Sequence, residues 1–433
     1  MDDCLYADVE RFLLQTIAAS VLALYLILGF PDKNKGIRDC ISWEKFTSTF
    51  SHRRKALGWM VDSRALTVSL PNDKRDRLIE RIQQVQRNPR LNLLEIAQLL
   101  GLLSHATTVC RHMRCSFYNL QRLLSVSLVT KYHSLMGYRK RQELEAHFSR
   151  QLPRQLFDRL QGLVSRQMAT TLWASKQKFS MDASILRELQ RILDSLRTEE
   201  WKIYIPHMIP RDHHCVSIGD ASLLGGGAFS RDLQYWFRIM WSKQIVAGTK
   251  RNPSDPGYIH INTLEFLVAF LQVVAFVVIL ESPDMPEHLR ERFPQGFPCF
   301  PLLCNRTDNT ATQSWTNGIR TTSPHAQALV SLYGQLMHRS TAQCISNHIP
   351  GDENSIADFI SRPDSPSHER LLFQTFQNFP WMKHYHIFQP SAELILALQL
   401  ALSCNSKQDP PQLPESLGQL LPDASTSLAF CVV

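Results

Sequence analysis

The chain has 433 residues, 44% apolar and 20% charged, which excludes a disordered polymer and allows two or three domains with ordinary cores. Lys and Arg outnumber Asp and Glu by 47 to 39, a net charge of +8 that is compatible with a polyanionic partner without demanding one. Ten cysteines lack a framework spacing and the acidic Met1-Asp-Asp-Cys start is no secretory leader, so reduced thiols and a cytoplasmic or nuclear setting are expected.

Residues 1–75 read as a mixed α/β piece. An apolar run over 13–30, broken by Gln15 and Ser20, predicts a buried helix at about 9–28 rather than a membrane span. Two strand-like runs follow, Ala56-Leu-Gly-Trp-Met-Val-Asp62 and Leu66-Thr-Val-Ser-Leu70, ended by Pro71. Residues 76–204 read as mainly helical, with apolar positions three and four apart as in Leu91-Asn-Leu-Leu-Glu-Ile-Ala-Gln-Leu-Leu-Gly-Leu-Leu103. Much of the positive charge lies here, as in Tyr138-Arg-Lys-Arg-Gln142. Cys110, His112 and Cys115, like His213, His214 and Cys215, have no second ligand pair at zinc spacing and read as core or surface residues.

Residues 205–362 change character. Alternation through Val216 and Ile218, the Gly225-Gly-Gly-Ala-Phe229 run and Leu233-Gln-Tyr-Trp-Phe-Arg-Ile-Met-Trp241 predict three antiparallel strands. A long helix at about 262–280, a strand at 300–304, a helical stretch, a strand at 344–349 and a short helix to Ile360 follow. The order β-β-β-α-β-α-β-α predicts an α/β domain, a mixed five-stranded sheet with flanking helices. The apolar helix carries Glu265 and Gln272 and is too short for a bilayer anchor, so no membrane partner is expected. The Pro-rich stretch 282–301 reads as a loop, and residues 363–433 as one helix near 392–403 and a disordered Pro/Ser/Gln-rich tail.

Four acids in the 205–362 region sit beside predicted strand or helix ends: Asp220 after the first strand, Glu265 early in the long helix, Asp308 in Thr307-Asp-Asn-Thr-Ala311 and Asp358 in His348-Ile-Pro-Gly-Asp-Glu-Asn-Ser-Ile-Ala-Asp358. Their separations are 45, 43 and 50 residues. Each has an ordinary alternative: Asp220 a turn residue, Glu265 a first-turn acid, Asp308 a helix cap, Asp358 a surface charge. All four being bland in one compact region is the less economical reading. Hard oxygen ligands suit Mg²⁺, and two carboxylate-held ions can activate water and relieve charge on a leaving 3′ oxygen.

Asp220-Ala-Ser with Gly225-Gly-Gly-Ala228, His260-Ile-Asn-Thr-Leu-Glu265, Asp308-Asn-Thr-Ala-Thr312 and the segment from His348 to Arg362 resemble the ribonuclease H domain of DIRS-like retrotransposon polyproteins. The resemblance covers about 160 residues. It implies a ribonuclease H-like fold that cuts the RNA strand of an RNA–DNA hybrid, with two Mg²⁺ ions, replaceable by Mn²⁺, held by Asp220, Glu265, Asp308 and Asp358. His348 is an auxiliary candidate, and Lys243, Arg306 and Arg320 are candidate nucleic-acid contacts. Gly219 stands where the family usually has Thr. Upstream, Trp43-Glu-Lys-Phe46 and Leu57-Gly-Trp-Met-Val-Asp62 resemble the polymerase palm and thumb of the same polyproteins. Asp2 and Asp3 then look like the end of a polymerase catalytic box, which implies a reverse transcriptase truncated within its palm and inactive as a polymerase. The alternative is a retroelement remnant that binds nucleic acid without turnover.

Overall fold

The computed structural model describes residues 52–134, 178–282, 301–362, 377–421 and 431–432, apart from 57, 199, 209–211, 254, 256, 322, 341 and 405–407. The expected 9–28 helix, the Trp43 segment, Asp2, Asp3, the 138–142 basic run and most of the Pro-rich loop lie outside the described residues.

The first unit runs β1 (Arg53–Ala56), β2 (Trp59–Asp62), β3 (Thr67–Ser69), α1 (Asn72–Arg87), β4 (Arg90–Asn92), α2 (Leu93–Ala106), a 3-10 turn (Arg111–Phe117), α3 (Tyr118–Ser134), β5 (Lys178–Ser180), α4 (Ala183–Thr198) and β6 (Lys202–Tyr204). Helix α2 begins where Asn92 accepts the Glu95 N–H and Glu95 accepts the Asn92 N–H, so two otherwise orphan donors are satisfied. Strand β6 returns to β3, giving an antiparallel sheet of order β1-β2-β3-β6. Residues from Val68 to Ile203 share one core, with Ile82, Val85, Ile96, Leu99, Leu189 and Ile192 fully buried. The expected boundary between 1–75 and 76–204 therefore does not separate two cores, and the expected helical connection also contains the β4–β5 pair.

The second unit runs β7 (Cys215–Ala221), β8 (Gly225–Ser230), β9 (Tyr235–Met240), α5 (Lys243–Thr249), α6 (Ile261–Glu281), β10 (Leu302–Thr307), α7 (Thr310–Gly318), α8 (Gln327–Arg339), β11 (Gln343–His348), α9 (Ser355–Ser361), β12 (His386–Pro390), α10 (Ala392–Ser403), β13 (Gly418–Leu421) and β14 (Cys431–Val432). It is mixed α/β. Strands β7, β8 and β9 form an antiparallel meander, while β10 lies parallel to β7 and β11 parallel to β10. Such parallel pairs need long crossovers, supplied by α6 and then by α7 with α8.

The sheet has eight strands, not the expected five: the path is β11-β10-β7-β8-β9-β12-β13, and β14 also pairs with β9. The C-terminal region expected as a helix and a disordered tail contributes the three extra strands. Phe388, Leu394, Leu398 and Leu417 enter the same core as the meander, and burying them offsets the cost of ordering the segment. Among the described residues, α6 alone is long and apolar enough to cross a membrane, and it lies buried in this core. The two units meet where the 3-10 turn packs on α8: Gln327 Nε2 donates to Cys115 O at 2.5 Å, and the His112 and His338 rings approach to 3.9 Å.

Candidate metal centre

Three parallel strands, β7, β10 and β11, end at one edge of the sheet, where side chains and following loops are free to converge on a ligand. The β10–β7 register sets Arg306 against Ile218, and carried two residues further it sets Asp308 against Asp220. Helix α6 crosses the same edge and delivers Glu265. Asp220 and Glu265 are buried and Asp308 is half-buried, and one carboxylate oxygen from each lies within 4.8 Å of the other two.

Two glycines let the helices come this close. A Cβ on Gly226 would collide with Val268 Cγ2 on α6, and one on Gly227 with Ile360 Cγ2 on α9. The Gly run of β8 thus seats a helix on each face, one bearing Glu265 and the other Asp358.

Local chemistry leaves Asp308 free for a ligand. The cap of α7 is its neighbour Asn309, whose side chain accepts the Thr312 N–H at 3.0 Å and donates to Asn262 Oδ1 at 3.0 Å. Asp220 is held from α9 and the turn before it: Ser361 Oγ donates to Asp220 Oδ2 at 2.5 Å and Asn354 Nδ2 to Oδ1 at 3.5 Å. Neither partner was singled out from the sequence, although both are polar residues on buried positions of the segment that carries Asp358.

Asp358 stands apart from the other three. It is 39% exposed at its side chain and paired with Arg362 Nη2 at 2.5 Å, one helical turn on. The expected quartet is therefore a triad of two buried acids and a half-buried one, with a fourth acid at its rim whose charge still reaches Asp220. His348, exposed, ends β11 opposite Thr307, and Arg306 lies beside Asn347, so both share the edge with Asp308. Lys243 is exposed at the start of α5. Arg320 follows the far end of α7, about 13 Å of helix from Asp308, where its charge opposes that of Arg114.

Burial pushes the Glu265 carboxyl up to about 9, and the charges of Asp220 and Asp308 add to it, against the Ala221 N–H and Arg362. Burial likewise raises Asp220, opposed by the Ser361 hydrogen bond and reinforced by Asp308 and Asp358. A bound cation would remove this repulsion. The donor set is all carboxylate oxygen, which suits Mg²⁺ or Mn²⁺, and Asn354 Oδ1, buried beside Asp220, has no hydrogen-bond partner among the described residues. The triad can therefore hold a metal ion. No protein-family model matches the chain, and no curated protein sequence matches it significantly.

Gly219 has a structural explanation. A Cβ there would lie 2.8 Å from the side chain of Gln272, a fully buried amide on α6. With its oxygen turned toward the strand, that amide accepts from Ser217 Oγ at 2.9 Å and from the Gly219 N–H at 3.0 Å while donating to Asn305. Gly219→Thr is expected to cost about 2 kcal/mol in urea unfolding through overpacking. Adding Gln272→Ala should recover part of that loss, so the two changes are non-additive by at least about 0.5 kcal/mol.

Proposed function

We propose that the chain is a retrotransposon-derived ribonuclease H that hydrolyses the RNA strand of RNA–DNA hybrids with divalent metal ions. The convergence of Asp220, Glu265 and Asp308 at the ends of β7 and β10 and on α6 carries this reading. The element order agrees with it: an antiparallel meander, a long helix, and two parallel strands added on the first-strand side. Asp220, Glu265 and Asp308 would hold the ions, with Asp358 completing the set from the rim. Two such ions, when bound, supply an activated water and offset charge on the attacked phosphate and the leaving 3′ oxygen.

The rest falls to the chain's own groups. Ser361 and the buried Asn354 fix the Asp220 carboxylate, so a ligand meets a preset oxygen. Arg362, in pairing with Asp358, keeps the fourth acid compensated at the open edge. Arg306 and Lys243 would contact backbone phosphates, and His348 would pass a proton between solvent and the reaction edge.

Three duplexes of one sequence, RNA–DNA, RNA–RNA and DNA–DNA, each labelled on one strand, test the substrate class with purified protein and Mg²⁺. Cleavage of the RNA strand of the hybrid alone is expected. Equal cutting of all three would replace the hybrid reading with a general nuclease. Salt-sensitive binding without cutting would favour a remnant that binds and does not turn over.

A further inference from the structure

Strand β11 forms one edge of the eight-stranded sheet, and among the described residues no strand pairs with it on the outer side. Successive residues of a strand turn their N–H and C=O groups to opposite sides. The N–H groups of Gln343 and Ile349 donate to Pro301 O and Thr307 O along β10, so the odd-numbered residues face inward. Cys344, Ser346 and His348 therefore direct their backbone groups out from the sheet. Such a row is a template for another strand, and proteins commonly blunt it with charged side chains or proline. Strand β11, Gln343-Cys-Ile-Ser-Asn-His348, contains no Lys, Arg, Asp, Glu or Pro.

One side chain closes this edge. Asn317, exposed in the last turn of α7, reaches the central outward residue: its Nδ2 donates to Ser346 O at 2.8 Å and its Oδ1 accepts the Ser346 N–H at 2.8 Å. A residue of a neighbouring antiparallel strand makes the same twin contact, so the amide stands in for a strand one residue long. Ser346 is fully buried, whereas Asn347 and His348 are exposed. The turn that carries the amide is fixed. Ile319 ends α7 in the left-handed region at φ 49, which β-branched residues avoid. Its N–H donates to Trp315 O at 2.8 Å and its side chain lies in the core of the second unit, so packing holds the strained residue in place. Trp315, one turn back, packs edge-on against Phe266 of α6. On so fixed a turn, holding the amide at the edge costs little further ordering.

We propose that Asn317 guards the β11 edge and keeps two copies of the chain from joining β11 to β11 into one continuous sheet. A second copy is the partner that the edge fits. Antiparallel pairing about a two-fold axis at Ser346 sets Cys344 of one copy opposite His348 of the other, and matches the outward groups of all three residues. No lysine, arginine or carboxylate of β11 meets its own kind across that axis, so like-charge repulsion does not oppose the pairing. Asn317 must leave Ser346 in both copies before the strands can pair. The side chain and the second copy therefore compete for the same two backbone groups.

The test uses the full chain with Asn317→Ala, read by sedimentation velocity across a concentration series and by hydrogen exchange over β11. Asn317 is exposed and alanine suits a helix, so melting should stay within a few degrees of the parent. The parent is expected to remain monomeric at roughly 100 μM, and the variant to self-associate at least about ten-fold more tightly, the scale set by freeing two hydrogen-bonding groups in each copy. Amide exchange at Cys344, Ser346 and His348 should slow as the variant dimerises. Adding Asn347→Lys to Asn317→Ala should restore the monomer, because it puts an exposed charge on the strand. Asn317→Gln, whose longer side chain breaks the twin contact, is the second variant and should associate to an intermediate degree, so the outcome does not hang on the alanine protein folding. Variants as monomeric as the parent overturn this role for Asn317. So does a parent already dimeric through β11, or a variant dimer that leaves β11 exchange unchanged or that Asn347→Lys does not dissolve.

Discussion

Asp220→Asn is expected to stabilise the metal-free protein by about 1–2 kcal/mol, or several degrees in melting temperature, and to abolish its stabilisation by Mg²⁺. The reason is the crowding of the acids into one site: burial keeps Glu265 protonated at neutral pH, and the two charges that remain, Asp220 and Asp308, about 5 Å apart, repel by up to roughly 3 kcal/mol at an effective dielectric of 20. Asparagine keeps the shape of the side chain. Its oxygen still accepts from Ser361 Oγ, and once the Asn354 amide turns over, the new amide can donate to Asn354 Oδ1, which has no partner among the described residues of the parent. Removing one charge therefore relieves repulsion at little cost in hydrogen bonding. The same change removes a central ligand, so calorimetric melting with and without Mg²⁺ should separate the two proteins in opposite directions. A destabilised variant that still gained stability from Mg²⁺ would rule out this account of the triad.

The largest stability effect is expected in the first unit. Glu188→Ala should cost about 3–5 kcal/mol in urea unfolding. Glu188 is 2% exposed, and its carboxylate accepts the Asn119 N–H at 2.8 Å, Asn119 Nδ2 at 3.0 Å and the Leu120 N–H at 3.2 Å. It thus caps the start of α3 from α4, joining segments that are 69 residues apart in the chain. Alanine would take the Glu188 acceptor away from the Asn119 and Leu120 N–H groups at the start of α3. Glu188 also sets a pH dependence. Burial pushes its carboxyl up to about 7, from 4.5 in the unfolded chain, against the hydrogen bonds that favour the charged form. Between these values the folded protein holds a proton that the unfolded chain has released. Stability from this group is therefore full below pH 4.5 and lost as pH rises toward 7, by at most about 3 kcal/mol. Denaturation at pH 5 and pH 8 should show this fall in the parent and a flatter profile in Glu188→Gln.

The elements that position the site were legible because each has a strong local signal. Val216 and Ile218 alternate into Asp220, the apolar 262–280 run is unbroken enough to be a core helix, and Gly225-Gly-Gly marks a strand that other elements approach closely. Asp308 was ambiguous between cap and ligand, and only the Asn309 cap separates the two. What stayed hidden depends on long-range geometry. Strands β12 and β14 have five and two residues and pair with β9 from more than 140 residues away, so neither periodicity nor a hairpin turn announces them. The Asp358–Arg362 pair is a choice of rotamers on the open side of a short helix, open to any i, i+4 acid and base. Gln272 opposite Gly219 needed the α6–β7 packing to be known, although an amide in the middle of so apolar a helix already signals a buried partner.

The most direct test of the central claim is cleavage of an end-labelled RNA–DNA hybrid by purified full chain and by Asp220→Asn at matched Mg²⁺, each repeated with EDTA. The account predicts RNA-strand products with the parent protein and Mg²⁺ only, and a loss of at least about 10³-fold in the variant, as expected when several kcal/mol of metal-borne charge stabilisation are removed. Equal rates for the two proteins, or products that survive EDTA, would contradict it.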